Sequence, residues 1–159
     1  MKSRILTSLF AVFILATPAS ADMDDKEFVA RAIEINLAEI SLGKLSLEKS
    51  KDEKVRAYGE MMISAHSAAN KQAENFAKVL SLTPPTQPAE KDQTTAEALA
   101  ALTGHEFDAK FLEVMIKGHE EAIALYADQA DGGDEIAKFA KDTLPELEDH
   151  LKQAQAIRG

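Results

Sequence analysis

The chain has 159 residues, a formal net charge of −9 and no cysteine. An acidic chain without a basic cluster is poorly suited to nucleic acid or anionic membrane surfaces. The missing cysteines exclude disulfides and thiol-linked lipid, and the length suits one domain with one core.

Lys2 and Arg4 precede an apolar run from Ile5 to Ala16, and Pro18-Ala19-Ser20-Ala21 follows as a small-residue cleavage site. This pattern predicts a secretory signal peptide over residues 1–21, cleaved after Ala21. The run is too short and wrongly flanked for a transmembrane anchor. The expected product is a soluble domain over 22–159 in a bacterial periplasm, without stable membrane insertion.

The first long helix is expected from Asp24 or Asp25 to about Lys49, with Phe28, Ala32, Ile35 and Leu42 on its inner arc. Asn36 and Glu39 fall inside that arc. Ser50-Lys51-Asp52-Glu53 reads as a capping box opening the second helix, so the intervening turn is tight and the two helices are antiparallel. That second helix carries Val55, Tyr58, Gly59, Met62, Ala69, Ala73, Phe76 and Leu80 on one face at about 100° per residue, with His66 near the centre. It should end near Ser81, ahead of Pro84, Pro85 and Pro88.

A polar, proline-rich connection follows, and a short helix is expected over Thr95–Leu102, capped by Thr94 and Glu97. Thr103 to Glu106 repeats the capping pattern before a third long helix over about Phe107–Asp131, with Phe111, Met115, His119, Ala122 and Tyr126 on one face. Gly132-Gly133 ends it and Asp134 can cap the fourth, whose stripe includes Ile136, Phe139, Leu147 and Leu151, with His150 at its edge. Pro145 should kink or divide this last helix. The pattern as a whole is all-α: an up-down-up-down four-helix bundle with a short extra helix in the long connection.

Each long helix thus offers one inward candidate ligand: Glu39, His66, His119 and His150. They lie roughly 12 to 17 residues from the two tight turns, which an up-down-up-down bundle puts at one end, so their heights fall within roughly 18–26 Å of it. Three imidazoles and a carboxylate suit one zinc, copper(II) or iron(II) ion. Met62 and Met115 each precede a histidine by four residues, and thioethers over the site would favour copper. The competing reading is that buried Glu–His hydrogen bonds pin helix register without metal, with the methionines as core filler. Glu121 and Glu146 lie at the edges of their inner faces, and Glu146 is placed to support His150 from one turn earlier.

Phe28 to Ile40, Met61-Met62-x-x-x-His66-x-x-Ala69-Asn70, Phe107-Asp108-x-x-Phe111, Met115-x-x-x-His119 and Thr143-Leu144-Pro145-x-Leu147-x-x-His150-Leu151 together resemble the bacterial exported domain of unknown function numbered 4142, placed in the ferritin-like superfamily. The resemblance covers nearly all of the mature chain. It implies a four-helix bundle and suggests metal binding, with no assigned activity. This chain has Ala65 where the family pattern commonly has an acid before the first bundle histidine. Carboxylate-bridged di-iron bundles need Glu-x-x-His on two helices. Ile63 and Leu147 stand three residues before His66 and His150, which argues against ferroxidase chemistry.

The function expected is therefore a periplasmic bundle holding one zinc or copper ion for metal sequestration or envelope stress protection. The alternative is a metal-free structural or protein-interaction module with a buried Glu/His network. Enzymatic use of an open metal position is a weaker third reading.

Overall fold

The computed structural model describes residues 24–159; the expected signal segment, 1–21, lies outside them. Five helices make up the described chain: α1 (Asp25–Lys49), α2 (Glu53–Val79), α3 (Glu90–Ala100), α4 (Gly104–Gln129) and α5 (Glu135–Arg158). Four are long and form a bundle, and α3 is the short extra helix in the α2–α4 connection. No helix among the described residues is long and apolar enough to cross a membrane.

The helix starts follow side-chain capping, with some shifts from expectation. Asp24, Asp52 and Asp134 each accept hydrogen bonds from two backbone amides of the first turn, satisfying donors that a helix leaves unpaired. Asp52 rather than Ser50 caps α2, because the helix begins at Glu53 and places the Asp52 carboxylate over the amides of Lys54 and Val55. Ser50 instead ends α1, its N–H donating to the Ser46 carbonyl oxygen. The short helix begins five residues before the expected Thr95, without a side-chain cap from Thr94. Glu90 and Asp92 in its first turn complement the helix dipole there. Thr103 precedes α4 without making a capping bond. Pro145 does not divide α5, which runs unbroken to Arg158. Lys141 and Pro145 are both exposed, so the carbonyl left without a helical partner lies on a water-facing turn.

Helix direction is where the up-down-up-down expectation fails. Asn36 meets His66, and Gly43 faces Gly59, so α1 and α2 are antiparallel. Phe28 packs on Tyr126, and Gln129 Nε2 donates to Asp25 Oδ1, so α1 and α4 are antiparallel too. Tyr58 packs on Phe111 and His66 on His119, which makes α2 and α4 parallel. The bundle is therefore up-down-down-up, with α1–α2–α5–α4 around the square and the α1–α2 and α4–α5 turns at opposite ends. The cause is the connection from Leu80 to Thr103, which returns the chain along the full bundle before α4 starts. Its α3 lies in the groove between α1 and α4, anchored by buried Leu99 against a cluster containing Leu42, Phe107 and Phe111.

The apolar core is split in two. One cluster joins Phe28, Ala32, Ala73, Ala77, Tyr126 and Phe139 at the α4–α5 turn end. The other joins Leu42, Tyr58, Met62, Phe107, Phe111 and Met115 at the α1–α2 turn end. Between them lies a layer of buried polar side chains: Asn36, Glu39, His66, Asn70, His119 and His150.

Candidate metal centre

A mid-height layer is the one place in the bundle where three helices present imidazoles to one another. His66 comes from α2, His119 from α4 and His150 from α5, and all three are at least 96% buried. Their ring centroids are 5.5, 5.6 and 5.8 Å apart. One nitrogen from each ring lies within 4.8 Å of those of the others. Two of the sequence-predicted residues, His66 and His119, sit near the middle of their helices, so the antiparallel packing of α4 on α5 brings His150 to the same height.

Hydrogen bonds fix which nitrogen faces inward. His66 Nδ1–H donates to Asn36 Oδ1 at 2.9 Å, and His119 Nδ1–H donates to the Met115 carbonyl oxygen at 2.9 Å. Each ring therefore keeps its lone pair at Nε2, and both Nε2 atoms are buried with no hydrogen-bond partner. His150 has its Nε2 3.9 Å from Glu146 Oε1, beyond hydrogen-bond reach, and its Nδ1 is likewise buried and unpartnered. Leaving a buried polar atom unpaired costs about 1–3 kcal/mol, and each of the three rings has one.

Burial also sets the protonation state. Desolvation, then the nearby His119 and His150, lowers the His66 imidazole to about 3. Desolvation takes His119 down to about 4 against the opposing pull of its bond to Met115, and it lowers His150 as well. All three are neutral imidazoles at pH 7, the form that ligates a metal.

Glu39, the fourth residue expected, is buried in the same layer but stands apart from the three inward nitrogens. Its Oε1 is 4.0 Å from Nδ1 of His119, on the ring edge already bonded to Met115. Its Oε2 is buried without a partner. Desolvation, aided by Asp92 on α3, raises its carboxyl to about 8, so it is mostly protonated at neutral pH. Gly118 makes room for it: a Cβ there would come within 3.2 Å of Glu39 Oε1. Met62 and Met115 are fully buried in the apolar cluster adjoining the layer. Asn70 does not cross between helices; its Nδ2 donates to Glu74 Oε1 on its own helix.

Asn36 is the residue whose part in the site the spacing alone did not reveal. Its inward position was visible in the periodicity of α1, but its pairing with His66 depends on how α1 and α2 pack.

The fold is shared with proteins of low sequence similarity. The chain is similar to a DUF305 fragment from Deinococcus radiodurans, with a TM-score of 0.77 at 17% identity, over 85% of this chain and 95% of that one. It is similar to CopM in a Cu(II)-bound form, with a TM-score of 0.70 at 17% identity, over 84% and 95% of the two chains. A DUF305 protein from Streptomyces coelicolor, regarded as secreted, matches with a TM-score of 0.70 at 11% identity, over 84% and 91%. No curated protein matches the sequence. A family match does extend over residues 14–157, almost the whole chain, and on that span the protein belongs to the family of domain of unknown function DUF4142.

Proposed function

We propose that this protein is an exported metal-holding bundle that binds one copper or zinc ion through His66, His119 and His150. The observation that carries the reading is that three buried imidazoles, each with an unpartnered nitrogen, bring one nitrogen apiece within 4.8 Å of the others. In His66 and His119 the opposite nitrogen is tied to a protein oxygen, the arrangement that orients metal-ligating histidines. Ligands of a single ion at about 2.0–2.1 Å stand about 3.3 Å apart, so binding draws the three rings inward by small side-chain rotations. Three neutral nitrogen donors suit both metals, and copper(II) binds such sets more tightly than zinc. The fold likeness to CopM, described in a Cu(II)-bound form, supports copper as the first metal to test.

Glu39, mostly protonated at neutral pH and 4.0 Å from His119 Nδ1, stands beside the site in this reading and is not one of the converging ligands. A bound metal cation supplies a Lewis-acidic charge centre, but the constellation contains no nucleophile or bridging carboxylate pair. The role that fits is therefore sequestration or protection against metal stress in the envelope. The Lys2–Ala21 signal pattern supports a periplasmic location.

The test is elemental analysis of the untagged mature protein after incubation with copper or zinc and removal of free metal. About one ion per chain, lost in His66→Ala and His119→Ala variants that remain helical, is the expected result. The Asn36–His66 bond favours a second reading, a register-setting network without metal. That reading predicts no stoichiometric metal and a melting temperature unchanged by chelation.

A further inference from the structure

The three imidazoles are buried, so an ion must reach them through the helix packing. A small cavity of about 10 Å³, room for one water-sized particle, lies against His66 and His150. Its outer walls are Ala65 and Ala69 of α2 and Thr143 and Glu146 of α5. The two alanines and the threonine are partly exposed, while the Glu146 side chain is 56% exposed. The cavity thus lies between an exposed carboxylate and the buried His66 and His150 rings, at a seam of two helices whose facing residues include two alanines and a threonine.

His150 sits across this passage. Its Nε2 faces the Glu146 carboxylate at 3.9 Å, and its unpartnered Nδ1 is the other ring nitrogen. In the neutral ring only one nitrogen carries a lone pair, and a proton on Nε2, the nitrogen facing the Glu146 carboxylate, leaves that lone pair at Nδ1. The opposite flank of the bundle differs. The larger cleft there, of about 300 Å³, reaches Glu39 beneath α3 and is lined by Lys91 and Arg31 as well as Asp92 and Glu121. Its two cations are each tied to a carboxylate, Lys91 to Glu121 and Arg31 to Glu34, and the Met115 carbonyl occupies the edge of His119 beside Glu39.

Resting on the metal-binding reading above, we infer that the α2–α5 seam is the loading entrance of the site. Glu146 is its capture group: an incoming divalent cation is first held by the Glu146 carboxylate beside His150, then passes to the inward nitrogens. Glu146 is a positioning residue for uptake and not a ligand of the settled ion.

The experiment is stopped-flow mixing of apoprotein with copper(II) chloride, read by quenching of tyrosine fluorescence. The chain has two tyrosines and no tryptophan, and Tyr126 lines the cavity. The variants are Glu146→Gln, Ala69→Leu and Glu121→Gln. Glu121 lies on the other flank, pairs with Lys91 and is 51% exposed, so its loss removes the same charge from a comparably exposed place. The inference predicts that Glu146→Gln slows association about tenfold. Dissociation should slow in parallel, leaving stoichiometry and equilibrium affinity near wild type, while Glu121→Gln loads at the wild-type rate. Ala69→Leu, which narrows the seam, also slows both directions; if it fails to fold, the two glutamate variants decide alone. Equal rates for Glu146→Gln and Glu121→Gln overturn the entrance while leaving the metal site standing. A Glu146→Gln effect confined to dissociation overturns it too, because it makes Glu146 a ligand. Absence of copper binding in the wild type overturns both readings.

Discussion

Asn36 decides which nitrogen of His66 faces the interior. Its Oδ1 accepts from Nδ1–H, and this single bond leaves the lone pair at Nε2. Replacing it with leucine removes the acceptor and frees the tautomer. Asn36→Leu is expected to weaken metal affinity by about 10–100-fold, the usual effect of losing an outer partner of a ligating histidine. Competition titration against a chelator of known affinity measures this, and an unchanged affinity would show that the bond does not orient the ring. The Met115–His119 bond does the same work with a backbone carbonyl, which no side-chain substitution removes.

At the scale of helices, α1 and α2 approach until their backbones touch. A Cβ built on Gly43 would lie 2.7 Å from the Gly59 carbonyl oxygen and 2.9 Å from Ile63 Cγ1. Alanine gains about 1 kcal/mol of helix propensity over glycine, but here the first atom it meets is backbone and cannot rotate away. We expect Gly43→Ala to destabilise the bundle by about 1–3 kcal/mol, as overpacking does. The check is the urea midpoint at constant m-value; a stabilised variant would mean that α1 and α2 separate easily. The same approach carries Asn36 to His66, so helix spacing and imidazole orientation are linked. On the other side of α1, helix α3 turns a connection into a cover, with Leu99 only 1% exposed beneath it.

For the molecule as a whole, the polar layer interrupts an otherwise apolar core, and its titration governs how stability varies with pH. The three histidines have folded values below their ordinary 6.5. The unfolded chain therefore binds more protons below that pH, and their contribution is complete above about 6.5 and lost as pH falls toward 4. Glu39 works in the opposite sense. Its value is raised from 4.5 to about 8, so its contribution is complete below 4.5 and is lost as pH rises through 8. The metal-free protein should accordingly be most stable near pH 6.5. In a Glu39→Gln variant the decline between pH 6.5 and 8 should flatten while the acid limb remains. Urea unfolding of the chelated protein from pH 4 to 9 tests both limbs, and an unaltered decline in the variant would remove Glu39 as its cause.

Apolar spacing by itself determined the four long helices, their inner faces and the inward positions of His66, His119, His150, Glu39 and Asn36, because helical periodicity is a local property of the chain. The expectation that the polar residues share one height rested on both tight turns lying at one end, and the structure puts those turns at opposite ends. The histidines meet nonetheless, since His66 and His119 lie near the middle of their helices and reversing one helix barely moves them. Only the tertiary structure decided the direction of α4, the placement of α3 over the α1–α4 groove, the separation of Glu39 from the converging nitrogens, and the hydrogen bonds that select each lone pair. The first three depend on the path of the 80–103 connection and on helix packing, and the Asn36–His66 bond joins residues 30 positions apart, whereas the Met115–His119 bond lies within one helix. Local spacing contains no record of contacts between helices, because they arise only when the helices pack.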